Sequence, residues 1–204
     1  MATKLDILNM ALMALGQKTI NDLNDNSDRA IKIQKFYNSA VNETLRAYNW
    51  SFATSVIKLK KFFNYKNELK DLPFVYKYPQ NILYIQQLFY KGQMRTRQCL
   101  ANNKFKIVID RNLNKLILAN IEDAYILATV NVSNNTEVFD DIFTKAVSFQ
   151  LAYQSAQAIC GDSNKMKDCL TLFLQTIEKA NSLDNNEQSV NENFISSFER
   201  ARYE

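Results

Sequence analysis

The chain has 204 residues, 47% of them hydrophobic and 23% charged, with a net charge of +4; that is enough apolar material for one packed domain, or one domain carrying an insertion. It contains no histidine and only 3 glycines, Gly16, Gly92 and Gly161, which argues against imidazole-based acid–base catalysis and against a glycine-rich phosphate loop. Its 3 cysteines, Cys99, Cys160 and Cys169, have no CxxC spacing, which argues against a zinc cluster or a disulfide framework and suits a reducing compartment.

In chain order, the first predicted helix covers residues 3–16. Thr3 and Asp6 match a capping box, Leu5, Leu8, Ala11, Leu12 and Leu15 share one face, and Gly16 stops the helix. Asp6 and Asn9 interrupt this run, so it reads as an amphipathic helix rather than a signal peptide. No apolar stretch reaches the roughly 20 residues of a membrane span. The expectation is a soluble protein made in the cytoplasm. A connection rich in Asn and Asp (17–27) leads to a second helix over 28–49, whose stripe is Ala30, Ile33, Tyr37, Ala40, Val41, Leu45 and Tyr48. Leu23 is expected to fold into the same core.

From Trp50 the period changes. Segments near 52–60, 74–90, 105–109, 115–121 and 124–132 are rich in Val, Ile, Tyr and Phe, with Pro73 and Pro79 punctuating the middle. Residues 105–109 and 115–121, joined by Asp110 to Asn114, predict a hairpin. Helices return near 138. Ile142, Ala146, Phe149, Tyr153, Ala156 and Cys160 step like a bundle seam, Gly161 ends that helix, and Asp162 and Ser163 cap the next. Met166, Cys169, Leu170, Phe173, Leu174, Ile177 and Ala180 line the fourth helix. From Asn181 to Asn193 the chain turns polar, as a linker or tail, before apolar and basic character returns. The expected fold is α+β: a four-helix bundle formed by the N- and C-terminal helix pairs (1–50 and 133–184), an inserted mainly antiparallel β domain (51–132) and a C-terminal tail (185–204).

Charge is unevenly spread. Residues 51–132 carry 13 Lys and Arg against 5 Asp and Glu, while residues 133–204 carry 6 against 11. A basic insert on an acidic helical end suits contacts between neighbouring subunits, or nucleic acid. The densest basic candidates are Lys58, Lys60 and Lys61, with Arg95 and Arg97. Tyr76, Tyr78, Tyr84 and Tyr90 are candidates for stacking bases, although alternating strand positions favour half-buried sheet residues. Asp140 and Asp141 are the best carboxylate pair, but neighbours on a helix point apart, and acidic residues suit a helix start. Asp22, Asp25 and Asp28 lack the glycine and terminal glutamate of a calcium loop. No catalytic, metal or cofactor set emerges, so the expectation is a protein without enzymatic activity.

One family resemblance stands out. Ala11 to Gly16, then Ile20 and Leu23, a helix with Ala30, Tyr37 and Leu45, and finally Trp50, Ser51, Phe52 and Ala53 resemble the phage tail tubular protein A family. These are the head-to-tail connector or adaptor proteins of short-tailed phages. Tyr76, Lys77, Tyr78 and Pro79 are similar to that family's Tyr-x-Tyr-x-Leu-Pro segment, without its leucine. Tyr125, Phe139 to Phe143, Ala146, Leu151, Ala152, Gly161 and Asp162 resemble its C-terminal block. The resemblance spans about residues 5–185 and is thinnest across 54–120.

The resemblance implies a helical bundle carrying a β domain and a homo-oligomeric ring of twelve subunits in the virion. Such a ring contacts the portal protein above, a tail nozzle (tail tubular protein B-like) below, and tail fibres. DNA passes through its channel without sequence-specific binding. On this reading the end of the chain docks on the portal, with Phe194, Ile195, Phe198 and Tyr203 as anchors and Arg200 and Arg202 as charged contacts. The alternative is a nucleic-acid-binding module that uses the basic insert.

Overall fold

The computed structural model describes residues 2–63, 65, 67–91 and 103–187, the last four by backbone alone. Helix α1 (Lys4–Ala14) opens with the expected capping box: Asp6 N–H donates to Thr3 Oγ1 at 3.2 Å and Thr3 N–H donates to Asp6 Oδ2 at 2.8 Å. It closes on Gly16 at φ +68°, where Gly16 N–H reaches Met13 O and Gln17 N–H reaches Leu12 O, both at 2.9 Å. Lys165, far along the chain, donates to the free carbonyl of Leu15 at 2.7 Å.

Before helix α2 (Asp28–Ala47), Asp22 and Asp25 accept from the backbone of Asn24 and Ser27 at 2.9 and 2.7 Å. These acids therefore shape the turn. Leu23 departs from expectation, being 40% exposed. Gln34 Nε2 grips its carbonyl at 2.7 Å, so the backbone rather than the side chain is held against α2.

Helix α3 (Asp141–Ile159) packs along α1, α2 and the last helix, α4 (Ser163–Glu187). The expected seam is corrected in part. Ala146 and Ala156 are buried, but Ile142, Phe149, Tyr153 and Cys160 are only half-buried, and the centre of the packing is Phe143, Val147, Leu151 and Ala152. A helix touched by three others keeps no clean polar face. Its buried Ser148 and Ser155 hydroxyls donate back to the carbonyls of Lys145 and Leu151 at 2.7 Å each.

The expected linker after Asn181 is also corrected, since α4 continues to Glu187. Asn and Ser are mild helix-breakers, and a helix already nucleated and packed through Phe173 and Ala180 runs on through them. One apolar core unites both ends of the chain, from Ile7, Leu12, Tyr37 and Leu45 to Phe143, Leu151, Cys169 and Phe173.

The middle of the chain forms two antiparallel sheets of three strands, ordered β1-β6-β3 and β2-β5-β4. After a 3-10 turn at Ser51–Ala53, the strands are β1 (Thr54–Lys58), β2 (Phe74–Lys77), β3 (Ile82–Tyr90), β4 (Phe105–Ile109), β5 (Lys115–Ala119) and β6 (Ala124–Val130). The segment 74–90, expected as one unit, is divided between the two sheets. Pro79 cannot donate to a ladder, and Asn81 at φ +63° turns the chain. Beyond β1 the chain changes sheet: Leu59 N–H still donates to Ala124 O at 2.9 Å, whereas Lys77 N–H donates to Lys60 O at 2.9 Å. The β4–β5 hairpin forms as expected, with Asp110 accepting from the Asn112 and Asn114 backbone at 2.8 and 2.9 Å. Between the sheets lies a second, smaller core of Leu59, Tyr76, Leu88, Ile117, Ala119, Ile126 and Ala128. Among the described residues no helix is long and apolar enough to cross a membrane.

Candidate functional site

Of the basic candidates, Arg95 and Arg97 lie outside the described residues, as do Phe194, Ile195, Phe198, Arg200, Arg202 and Tyr203. The cluster Lys58, Lys60 and Lys61 spans the point where the chain changes sheet, and its members find different surroundings. Lys61 pairs with Glu122 at 2.6 Å, and this bond raises its pKa above the ordinary lysine value. Lys58 lies 3.9 Å from Asp123 and 5.8 Å from the centre of the Tyr125 ring. Two of the three lysines are thus turned towards the acidic β5–β6 connection.

Lys60 stands directly across the ladder from Lys77, one step from the Lys61–Tyr76 bridge. Like charges in that position oppose sheet pairing, and among the described residues neither lysine has an ion-pair partner.

Next to them is a cleft of about 460 Å³ at the end of the second sheet, where β2 leaves and β5 enters. Phe62, Lys77, Tyr78, Gln80, Asn81 and Lys115 line it, and among the described residues no carboxylate does. The two ammonium groups are held against its rings: Lys77 Nζ is 5.5 Å from the Phe62 centroid and Lys115 Nζ is 5.5 Å from that of Tyr78. Burial pushes the Tyr78 phenol up in pKa, against the pull of the Arg46 guanidinium. Arg46 in turn is fixed by donating to Leu83 O at 2.7 Å. The recess is therefore lined by two lysines, each beside an aromatic ring.

Lys77 and Lys115 had no distinction as isolated residues. Lys77 faces Leu116 across the ladder, one residue beyond Lys115, so strand alternation sets the two lysines on opposite faces of the sheet end. The signal available in sequence was Tyr78 beside Lys77, at the start of a proline-broken strand. The other aromatic candidates are chiefly structural. Tyr76 is buried, with its hydroxyl donating to Ile121 O at 2.6 Å, and Tyr84 is half-buried and hydrogen-bonded to Asn49. Asp140 caps α3 by accepting from Phe143 N–H at 2.5 Å.

Large apolar side chains of the β unit also meet solvent: Phe63 is 85% exposed, Leu113 83% and Ile109 58%. Ile109 and Leu113 belong to the β4–β5 hairpin, where a second recess is lined by Ile109, Tyr65, Leu69 and Arg111. No protein-family model matches the chain, and no curated protein is significantly similar to it.

Proposed function

We propose that the chain is a structural subunit of a ring-forming adaptor in the virion of a short-tailed phage, seated between the portal and the tail nozzle around the DNA channel. The finer architecture belongs to this reading: the N- and C-terminal helix pairs form a four-helix bundle, and the β domain is its insertion. Twelve copies close the ring through repeated contacts between different surfaces of adjacent subunits, and such heterologous contacts must close by rotation. The C-terminal tail, with Phe194, Ile195, Phe198, Arg200, Arg202 and Tyr203, contacts the portal, and tail fibres attach at the periphery. The proposed role needs no catalysis and no cofactor.

The observation that carries this reading is the exposed apolar tip of the β4–β5 hairpin, Ile109 and Leu113, with Phe63 exposed on the same β unit. Exposed apolar groups close together mark a place where another protein sits. The resemblance adds support, because Leu15, Ile20, Ala30, Tyr37, Leu45, Trp50 and Ala53 all belong to the buried helical core.

The test is electron microscopy of the full chain mixed with the portal encoded beside it. Twelve-fold rings attached to the portal are expected, and removal of residues 190–204 is expected to abolish attachment. A chain that leaves the portal bare overturns the reading. A truncated chain that attaches as well as the intact one overturns the role of the tail.

A further inference from the structure

We infer that the recess between helices α2 and α3 binds a primary ammonium group, independently of any role in a ring. The recess holds about 460 Å³ and is lined by Phe36, Ser39 and Glu43 from α2, Tyr153 and Gln154 from α3, and Met166 from the first turn of α4. Helical spacing sets these groups face to face. Residues 36, 39 and 43 step by three and four along one side of α2, and residues 150 and 154 by four along one side of α3. The two sides are joined, since Gln150 Nε2 donates to Glu43 Oε2 at 2.5 Å.

Three observations converge on a cation. The first is an unpaired charge: among the described residues Glu43 has no ion-pair partner, and no lysine or arginine lines the recess. The cations one turn away along α2 are engaged elsewhere, Lys32 with Asp28 at 2.6 Å and Arg46 with Leu83 O at 2.7 Å. The second is positioning. Ser39 Oγ donates to Glu43 Oε1 at 3.2 Å and Gln150 to Oε2, which fixes the carboxylate and leaves each oxygen a free lone pair. The third is a pair of orphaned acceptors, because the amide oxygens of Gln150 and Gln154 are buried with no donor among the described residues. Gln150 is only 5% exposed. With its nitrogen on Glu43, its amide oxygen lies within about 5 Å of that carboxylate. A buried acceptor without a donor is costly, and a donor entering from outside removes the cost. Glu43 itself is exposed, so a ligand can reach it.

An ammonium suits these acceptors better than other cations do. It carries three N–H donors on a compact head, and the recess offers the Glu43 carboxylate and two amide oxygens. A guanidinium prefers both oxygens of a carboxylate at once, and Ser39 and Gln150 already use one lone pair of each. No described cluster of three or more acidic or thiol side chains could hold a metal ion. Phe36, Tyr153 and Met166 give an alkyl stem apolar walls to lie against. A free polyamine and a lysine of another protein both carry this head group.

Equilibrium dialysis of the full chain against labelled spermidine, and separately against labelled acetyl-Ala-Lys-Ala-amide, tests this. At least one probe should saturate at one molecule per chain. Tighter binding of the peptide, in spite of its single charge, marks a lysine of another protein, and tighter binding of spermidine marks a free polyamine. Glu43→Gln should weaken binding about 10-fold, as expected for a hydrogen bond to a charged group. Gln154→Leu should weaken it about 3-fold with no loss of stability in urea, because the oxygen it removes has no donor in the unliganded fold. Saturation by neither probe overturns the proposal, as does equal binding of the peptide with norleucine in place of lysine. So does a Glu43→Gln or Gln154→Leu variant that binds as tightly as the original chain.

Discussion

The helical body and the β unit spend their polar groups in opposite ways. In the body, charges and hydroxyls mostly finish the helices. Thr3 and Asp6 close one end of α1, Lys165 closes the other, and Asp140 and Asp162 start α3 and α4. In the β unit the core is smaller, and along one end cations and apolar side chains stand open to solvent. The difference teaches where to look for each property. Stability rests on the body, which collects both ends of the chain into one core, and the apolar docking edge belongs to the unit inserted between them.

The largest test of that division is Trp50→Ala. The Trp50 ring meets Phe143 at 4.9 Å and Tyr48 at 5.2 Å, both edge-on, and its indole N–H donates to Thr44 O at 2.8 Å inside the core. Removing it should cost about 3–5 kcal/mol in urea unfolding. A loss below about 1 kcal/mol would mean that the body does not carry the stability of the chain.

The body also contains a buried phenol whose hydroxyl finds no partner among the described residues. Tyr37 is 2% exposed, with Lys4 Nζ 4.7 Å from the ring centroid, and burial pushes its pKa up to about 12. The neutral phenol is therefore favoured by folding. Its contribution is complete below pH 10 and is lost as pH rises towards 12, amounting to about 2–3 kcal/mol at the upper end. Unfolding free energies measured across that window should show the fall, and Tyr37→Phe should remove this component. Tyr76 in the β unit gives a smaller step, because the raising effect of burial on its phenol is opposed by a backbone hydrogen bond from Ala124 and by the Lys61 ammonium.

A third change acts at the join between the two ends of the chain. Gly16→Ala places a side chain on a residue at φ +68°, with its Cβ 2.9 Å from Lys165 Nζ. The left-handed conformation costs about 1–2 kcal/mol for a non-glycine residue, and the lysine tip can move aside. A thermal scan should show a loss in that range.

These residues also show what sequence could reveal. The caps, the glycine stop and the Asp110–Asn114 hairpin are local, so the residues that make them lie within a few positions of one another and were legible. The many-sided burial of α3 was not, because periodicity detects one apolar stripe and α3 hides Ser148, Gln150 and Ser155 as well. The candidate site was legible as charge but not as geometry. Lys58, Lys60 and Lys61 read as one cluster, yet Glu122 and Asp123, more than 60 residues on, take two of them. Lys115 reaches the cleft only through the pairing of β5 with β2. Register is a long-range property, and single lysines carry no trace of it.

The smallest expected effect lies in the β unit. Lys60→Gln removes one half of a like-charged cross-strand pair without touching either core, and Lys60 is exposed. If the two ammonium groups repel across the ladder, the substitution should stabilise the chain by about 0.3 kcal/mol at low salt. That gain should vanish at high salt, where exposed charges are screened within a few ångströms. An unchanged stability at low salt would mean that the lysine pair is only a solvated part of the surface, with each ammonium group free to turn away from the other.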